Sequence, residues 1–105
     1  MAVLVEEALA SGATLAIPAG VLAQAWRGGA RQARLARLLR SSVCTVVPLD
    51  RRSALRIGAR RAATGGTDVV DASVALCARD LGHPVVTSDP DDLRALDPSL
   101  TLLIP

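Results

Sequence analysis

The bulky rings that fill most protein interiors are nearly missing from this 105-residue chain, which has one Trp, no Phe and no Tyr. Leu, Val, Ile and Ala must fill any core, and with half the residues apolar there is enough for one small domain over residues 1–105. Lys is missing as well, so all twelve cations are Arg. A GC-rich genome produces that bias, and the Arg fork also suits phosphate. At a net charge of +2 the total by itself does not argue for nucleic acid. No apolar run approaches the roughly 20 residues of a membrane-spanning helix. Residues 1–9 hold Glu6 and Glu7 and no basic residue, unlike a secretory signal, so a cytoplasmic protein without a membrane partner is expected. Cys44 and Cys77 show no CxxC or Cys/His pattern and are expected to be reduced core thiols. His83 stands alone in a Gly-His-Pro turn, expected to be exposed, and no Ser or Cys sits in a nucleophile elbow, so His-based catalysis has little support. No Gly-rich phosphate loop is present to argue for nucleotide binding.

What is present alternates regularly. Residues 1–10 read as a helix or the tail of one, closed by Ser11-Gly12. A short strand over 14–17 leads into a helix that starts at Pro18 and runs to about Arg27. Gly28-Gly29 breaks it, and a second helix runs to about Arg40, with Leu35, Leu38 and Leu39 on one face and Arg37 and Arg40 opposite. A β-branched strand over 43–47 is followed by a helix to about Ala63. A loop over 64–67 then opens an apolar helix from Asp68 to about Leu81. Strands over 84–87 and 100–104 flank a short helix that opens after Asp89. Strand–helix alternation with continuously apolar strands predicts a mostly parallel sheet covered by helices on both faces, a three-layer α/β/α fold. Sites in such sheets form beyond the carboxyl ends of the strands.

Two acidic segments fall at such ends. Asp68 and Asp71 are three residues apart at a helix start, so both can face one side of its first turn. The same spacing is that of an N-cap and the third helical position, and the two roles can coexist. In Asp89-Pro90-Asp91-Asp92, the acids after Pro90 read as helix-start chemistry, whereas Asp89 lies where a strand ends. Thr87 and Ser88 could position a water or a phosphate oxygen, or merely satisfy backbone groups. Carboxylates gathered at one place repel each other, and a hard divalent cation offsets the repulsion. Mg²⁺ takes oxygen ligands, often only one or two carboxylates plus substrate phosphate. The implied chemistry is metal-assisted phosphodiester hydrolysis.

Ile17-Pro-Ala-Gly-Val-Leu-Ala-Gln-Ala-Trp-Arg27, Thr67-Asp-Val-Val-Asp-Ala72 and Val86-Thr-Ser-Asp-Pro-Asp-Asp-Leu93 resemble, in that order, the PIN-domain family, particularly its VapC-type toxins. The resemblance covers nearly the whole chain. It implies a Mg²⁺- or Mn²⁺-dependent endoribonuclease of a toxin–antitoxin system, a homodimer, RNA as substrate and a cognate antitoxin as partner. Carried onto this chain, it makes Asp71, Asp89 and Asp68 the catalytic, metal-binding acids, with Thr87 at a position often hydroxylated.

Two departures stand out. The family opens with a central strand ending in a catalytic Asp, and nothing here corresponds to it, so an N-terminally truncated chain is expected. Where the family usually carries Glu, this chain has Gln24, which brings an amide and no charge. Without the central strand, 14–17 should pair with 43–47 and 84–87 with 100–104, each pair keeping an open edge. A non-catalytic remnant acting through antitoxin binding or self-association is therefore the alternative function.

Arg27, Arg31 and Arg34 lie near the Gly28-Gly29 junction, and Arg51, Arg52, Arg56, Arg60 and Arg61 crowd one helix. Most should be solvated faces, with Arg27 and Arg31 the candidates for RNA phosphate, in a salt-dependent contact. Trp26 is expected in the core or an interface rather than stacked on a base. A phosphoacceptor receiver domain, another acidic α/β fold, uses a Lys that this chain lacks.

Overall fold

The computed structural model describes residues 14–65, 68–87 and 90–103, without the side chain of Arg31. The helix expected over residues 1–10 lies outside that description. The element order is β1 (Leu15–Pro18), α1 (Ala19–Ala25), α2 (Ala30–Arg40), β2 (Cys44–Val47), α3 (Arg51–Thr64), α4 (Val69–Leu81), β3 (Val85–Val86), α5 (Pro90–Leu96) and β4 (Leu102–Leu103). Helices and parallel strands alternate as expected for the three-layer α/β/α class.

Local chemistry sets most of the boundaries. Pro18 is the last residue of β1 rather than the first of α1, because its φ of −60° and ψ of 141° are extended. α1 stops at Ala25, two residues sooner than expected, and Gly28 and Gly29 turn the chain with φ of 80° and 84°, a region that glycine enters without a Cβ clash. α3 opens on Asp50, whose carboxylate accepts from the Ser53 N–H at 2.8 Å. α4 closes on Gly82 in the left-handed region, with the Gly82 and His83 N–H groups returning to the last turn of the helix.

The strands form two separate parallel pairs, β1 with β2 and β3 with β4, as the sequence led us to expect. Leu15 stands opposite Cys44 and Pro18 opposite Val47, while Val85 stands opposite Leu102. β1 keeps its expected four residues but starts one later, β2 is one residue shorter than expected, and β3 and β4 are two residues each. A short pair with one open edge holds few ladder hydrogen bonds, which leaves little to extend the strands.

Both pairs are ordered by α4, which packs against β1 and β3. At the carboxyl end of β1 the chain enters α1, where Gly20 comes so close to α4 that a Cβ there would lie 3.3 Å from Val70 Cγ2. Val70 is in the first turn of α4. β3, for its part, leaves the carboxyl end of α4 through Gly82 and runs back along the helix. The carboxyl end of β1 therefore lies at the start of α4, and β3 runs back from the far end of that helix.

The core is aliphatic and small. Ile57, Ala72, Ala75, Ala78, Val85, Leu93 and Leu96 are buried together, with Leu76, Leu100 and Leu102 packed around them. On α2, Leu38 is buried with Leu35 and Leu39 half-buried against β2, and Arg37 and Arg40 are exposed on the opposite side. Cys44 and Cys77 are free but only half-buried, not core residues. Burial pushes both thiols up from their ordinary range, with the Asp80 charge adding to the effect at Cys77. Trp26 is not in the core either, since 47% of its surface is exposed.

Polar ties join the helices behind this core. Arg56 of α3 grips Asp80 of α4 through two hydrogen bonds, at 2.6 and 2.8 Å. Arg60 donates to the Leu96 carbonyl at the end of α5. Asp97, buried just after α5, accepts from both the backbone N–H (2.9 Å) and the hydroxyl (2.6 Å) of Ser99, closing the turn toward β4. Of the five α3 arginines, then, only Arg51 and Arg52 are plain solvated residues. Arg61 is half-buried, and its Nε finds no partner among the described residues.

The Ser99 hydroxyl, more than its backbone N–H, holds the Asp97 carboxyl below the ordinary Asp range. A depressed folded pKa adds stability above the unfolded value and loses it as pH falls through the folded one. Asp97→Ala is therefore expected to cost about 1–3 kcal/mol at neutral pH, in urea melts. The difference from wild type should shrink as the pH drops below about 4. A constant difference across that range would contradict the ionised Asp97–Ser99 turn.

Candidate functional site

The first turn of α4 is built by its own acids. Asp68 is the N-cap, with φ of −83° and ψ of 117°, and its Oδ1 accepts from the Asp71 N–H at 2.9 Å. Its backbone carbonyl accepts from the Ala72 N–H at 3.1 Å. Asp71 occupies the third helical position, half-buried, while Asp68 is exposed. The capping role and the clustering of charge thus coexist in the same two residues. The N-terminal end of the helix dipole favours both carboxylates, which holds two like charges in one turn. Engaging one oxygen of Asp68 leaves the other free to face a ligand.

Close to this turn the chain leaves the carboxyl end of β1, where Gly20 meets Val70. Thr87 follows β3, half-buried, with its backbone N–H donating to the Leu103 carbonyl at 2.9 Å. Ser88 and Asp89, the next two site candidates, lie outside the described residues, as does Thr67. Gln24 is on α1, the helix that packs against α4, and is exposed. Its side-chain amide makes no hydrogen bond to another described residue. Arg27 is exposed, and its Nε donates to the Gln24 carbonyl at 2.9 Å. That bond caps the end of α1 and leaves the rest of the guanidinium for other partners. Arg31 lies in the first turn of α2, with its side chain outside the described residues. His83 is exposed, as expected.

Asp68, Asp71 and Thr87 offer hard oxygen donors, the set that Mg²⁺ or Mn²⁺ takes, and no soft ligand stands among them. Two carboxylates with substrate phosphate suffice for such an ion, so the residues fit the group. Among the described residues no cluster of three acidic, His or Cys side chains forms. Of the sequence candidates, the structure brings Asp68 and Asp71 together directly.

An apolar cleft opens beside this turn, between the start of α1 and the facing sides of α3 and α4. Gly20, Val47, Ile57, Val70, Ser73 and Cys77 are among its walls, and the Arg56–Asp80 pair stands at its rim. Sequence reading gave no sign of that pair, because the partners are 24 residues apart on different helices. The Asp97–Ser99 turn did carry a local signal in Asp-Pro-Ser, a sequence suited to an Asx turn.

Compared with known proteins, residues 2–97 match the model of one family, described as PIN domain. No curated protein and no solved structure matches the chain.

Removing the cap tests the geometry separately from any chemistry. Asp68→Ala is expected to destabilise the fold by about 1 kcal/mol in urea melts, with or without divalent cation. An unchanged midpoint would show that Asp68 does not cap α4.

Proposed function

The chain belongs to the PIN domain family, and on that premise we propose that it is a Mg²⁺-dependent endoribonuclease of the VapC type, acting at the N-terminus of α4. Members of the family are generally nucleases, typically dependent on a divalent metal. The observation that supports the reading best is the Asp68–Asp71 turn: two carboxylates in one helical turn, close to the carboxyl end of β1. A bound Mg²⁺ or Mn²⁺ would supply an activated water and neutralise charge on the phosphorane-like transition state.

The chain's own residues do the rest. Asp71 and the free oxygen of Asp68 hold the cation, and Asp89 is the third acid we assign to it. Thr87, Ser88 and Gln24 orient water or a phosphate oxygen by hydrogen bonding. Arg27, anchored through its Nε, offers its remaining N–H groups to substrate phosphate, and Arg31 does the same from the next helix. In this reading the chain works in the cytoplasm as a homodimer restrained by a cognate antitoxin.

A second reading is supported by the open edges of β1 and β3 and by Gln24. In it, the chain is a non-catalytic remnant that binds an antitoxin or another copy of itself, and the partner pairs with those edges.

Cleavage of RNA by the purified chain separates the two. The nuclease reading expects cleavage that requires Mg²⁺ or Mn²⁺, stops with EDTA, and is abolished by Asp71→Asn or Asp89→Asn. A folded chain that cuts no RNA at any metal concentration favours the remnant. Cleavage that survives both substitutions contradicts the site itself.

A further inference from the structure

Charge is divided along this chain far more sharply than its net value shows. No acidic residue occurs between Glu7 and Asp50, whereas Arg27, Arg31, Arg34, Arg37 and Arg40 all fall in that interval. Seven of the ten acids lie instead from Asp68 to Asp97. The basic interval includes α2, a helix with four Arg and no carboxylate.

The fold turns that sequence into a surface. Leu38 is buried and Leu35 and Leu39 are half-buried against β2, while Arg34, Arg37 and Arg40 are exposed. Steps of three residues advance about 4.5 Å along a helix and turn about 60° around it, so the three guanidiniums form a slowly winding row. None of the three has a carboxylate partner among the described residues, whose ion pairs are Arg56–Asp80 and Arg94–Asp91. Like charges at this spacing repel, and nothing on the helix offsets the cost. The Gly28-Gly29 turn joins α2 to α1, which packs against α4, so the row stands on the next helix after the one beside the acids.

We propose that Arg34, Arg37 and Arg40 form a phosphate track that holds RNA by its backbone, away from the bond to be cut. The proposal rests on the nuclease reading and adds to it where the substrate lies. Arg forks match phosphate oxygens, and a row without carboxylates is selective for a polyanion. An acidic protein partner is the other polyanion to weigh. Protein interfaces draw most of their energy from apolar or aromatic anchors, and α2 exposes no large apolar side chain. With a single Trp, no Phe and no Tyr in the chain, and no aromatic residue on α2, bases are not read by stacking along the row, and the track tolerates sequence.

The test measures binding apart from cleavage. Anisotropy of a labelled single-stranded RNA is followed in EDTA over a range of NaCl concentrations, using the full chain. For Arg34→Gln/Arg37→Gln/Arg40→Gln, the salt slope of log affinity is expected to fall by about 2, the share of three phosphate contacts to a single strand. Arg79→Gln/Arg94→Gln should leave the slope as in wild type. If the triple variant melts early, Arg37→Gln alone is expected to lower the slope by about 0.7. Unchanged affinity and slope in a folded variant would overturn the track. So would polyglutamate of matched charge displacing the RNA as well as unlabelled RNA does, an outcome that assigns the row to an acidic protein. RNA that binds through α2 and is never cut with Mg²⁺ fails the nuclease reading alone. RNA cut equally well by the triple variant at all salt concentrations fails the track alone.

Discussion

Close packing along one small-residue helix carries this structure. Ala72, Ala75 and Ala78 of α4 are 0%, 2% and 7% exposed and recur every three residues, a seam with no bulk beyond a methyl group. Such a seam lets neighbours approach a helix axis closely. α1, α3, α5, β1 and β3 all pack on α4, and Gly20 carries the same logic to the α1 contact. The strategy suits a chain with almost no aromatic volume. Interior space that rings would fill is removed by bringing backbones together, and Leu93, Leu96 and Ile57 close what is left.

The same seam positions the chemistry. The start of α1, just after β1, meets the N-terminal turn of α4 that carries the two acids. The helix dipole and the hydrogen bond from Asp71 to Asp68 stabilise a pair of carboxylates that would otherwise repel. The arrangement also has an unfinished side. Among the described residues β1 pairs only with β2 and β3 only with β4, so each strand has one edge without a strand partner there.

Much of this was written in local patterns. The helix start at Asp68, the third-position Asp71, the Pro90 start of α5 and the Leu face of α2 all follow from spacing rules that need only one element at a time. The two-pair sheet followed instead from the resemblance, whose strand order without its central strand leaves those two pairs. What sequence misjudged depends on several elements at once. Strand length is set by how much ladder each pair can form, so β3 and β4 shrank to two residues. The half-burial of the two cysteines is decided by where β2 and α4 meet their neighbours, and Arg56 reads as a solvated residue until α4 places Asp80 beside it.

The central claim is that the start of α4 is where a divalent cation sits. Mn²⁺ added to isotopically labelled protein broadens amide signals near its binding site, and this needs no RNA and no turnover. The account predicts that the earliest loss is at Asp68, Asp71 and Ala72, together with Thr87 after β3, and that Asp68→Asn/Asp71→Asn abolishes it. Broadening confined to Asp91 and Asp92, or to Asp80, with the start of α4 untouched, would contradict it.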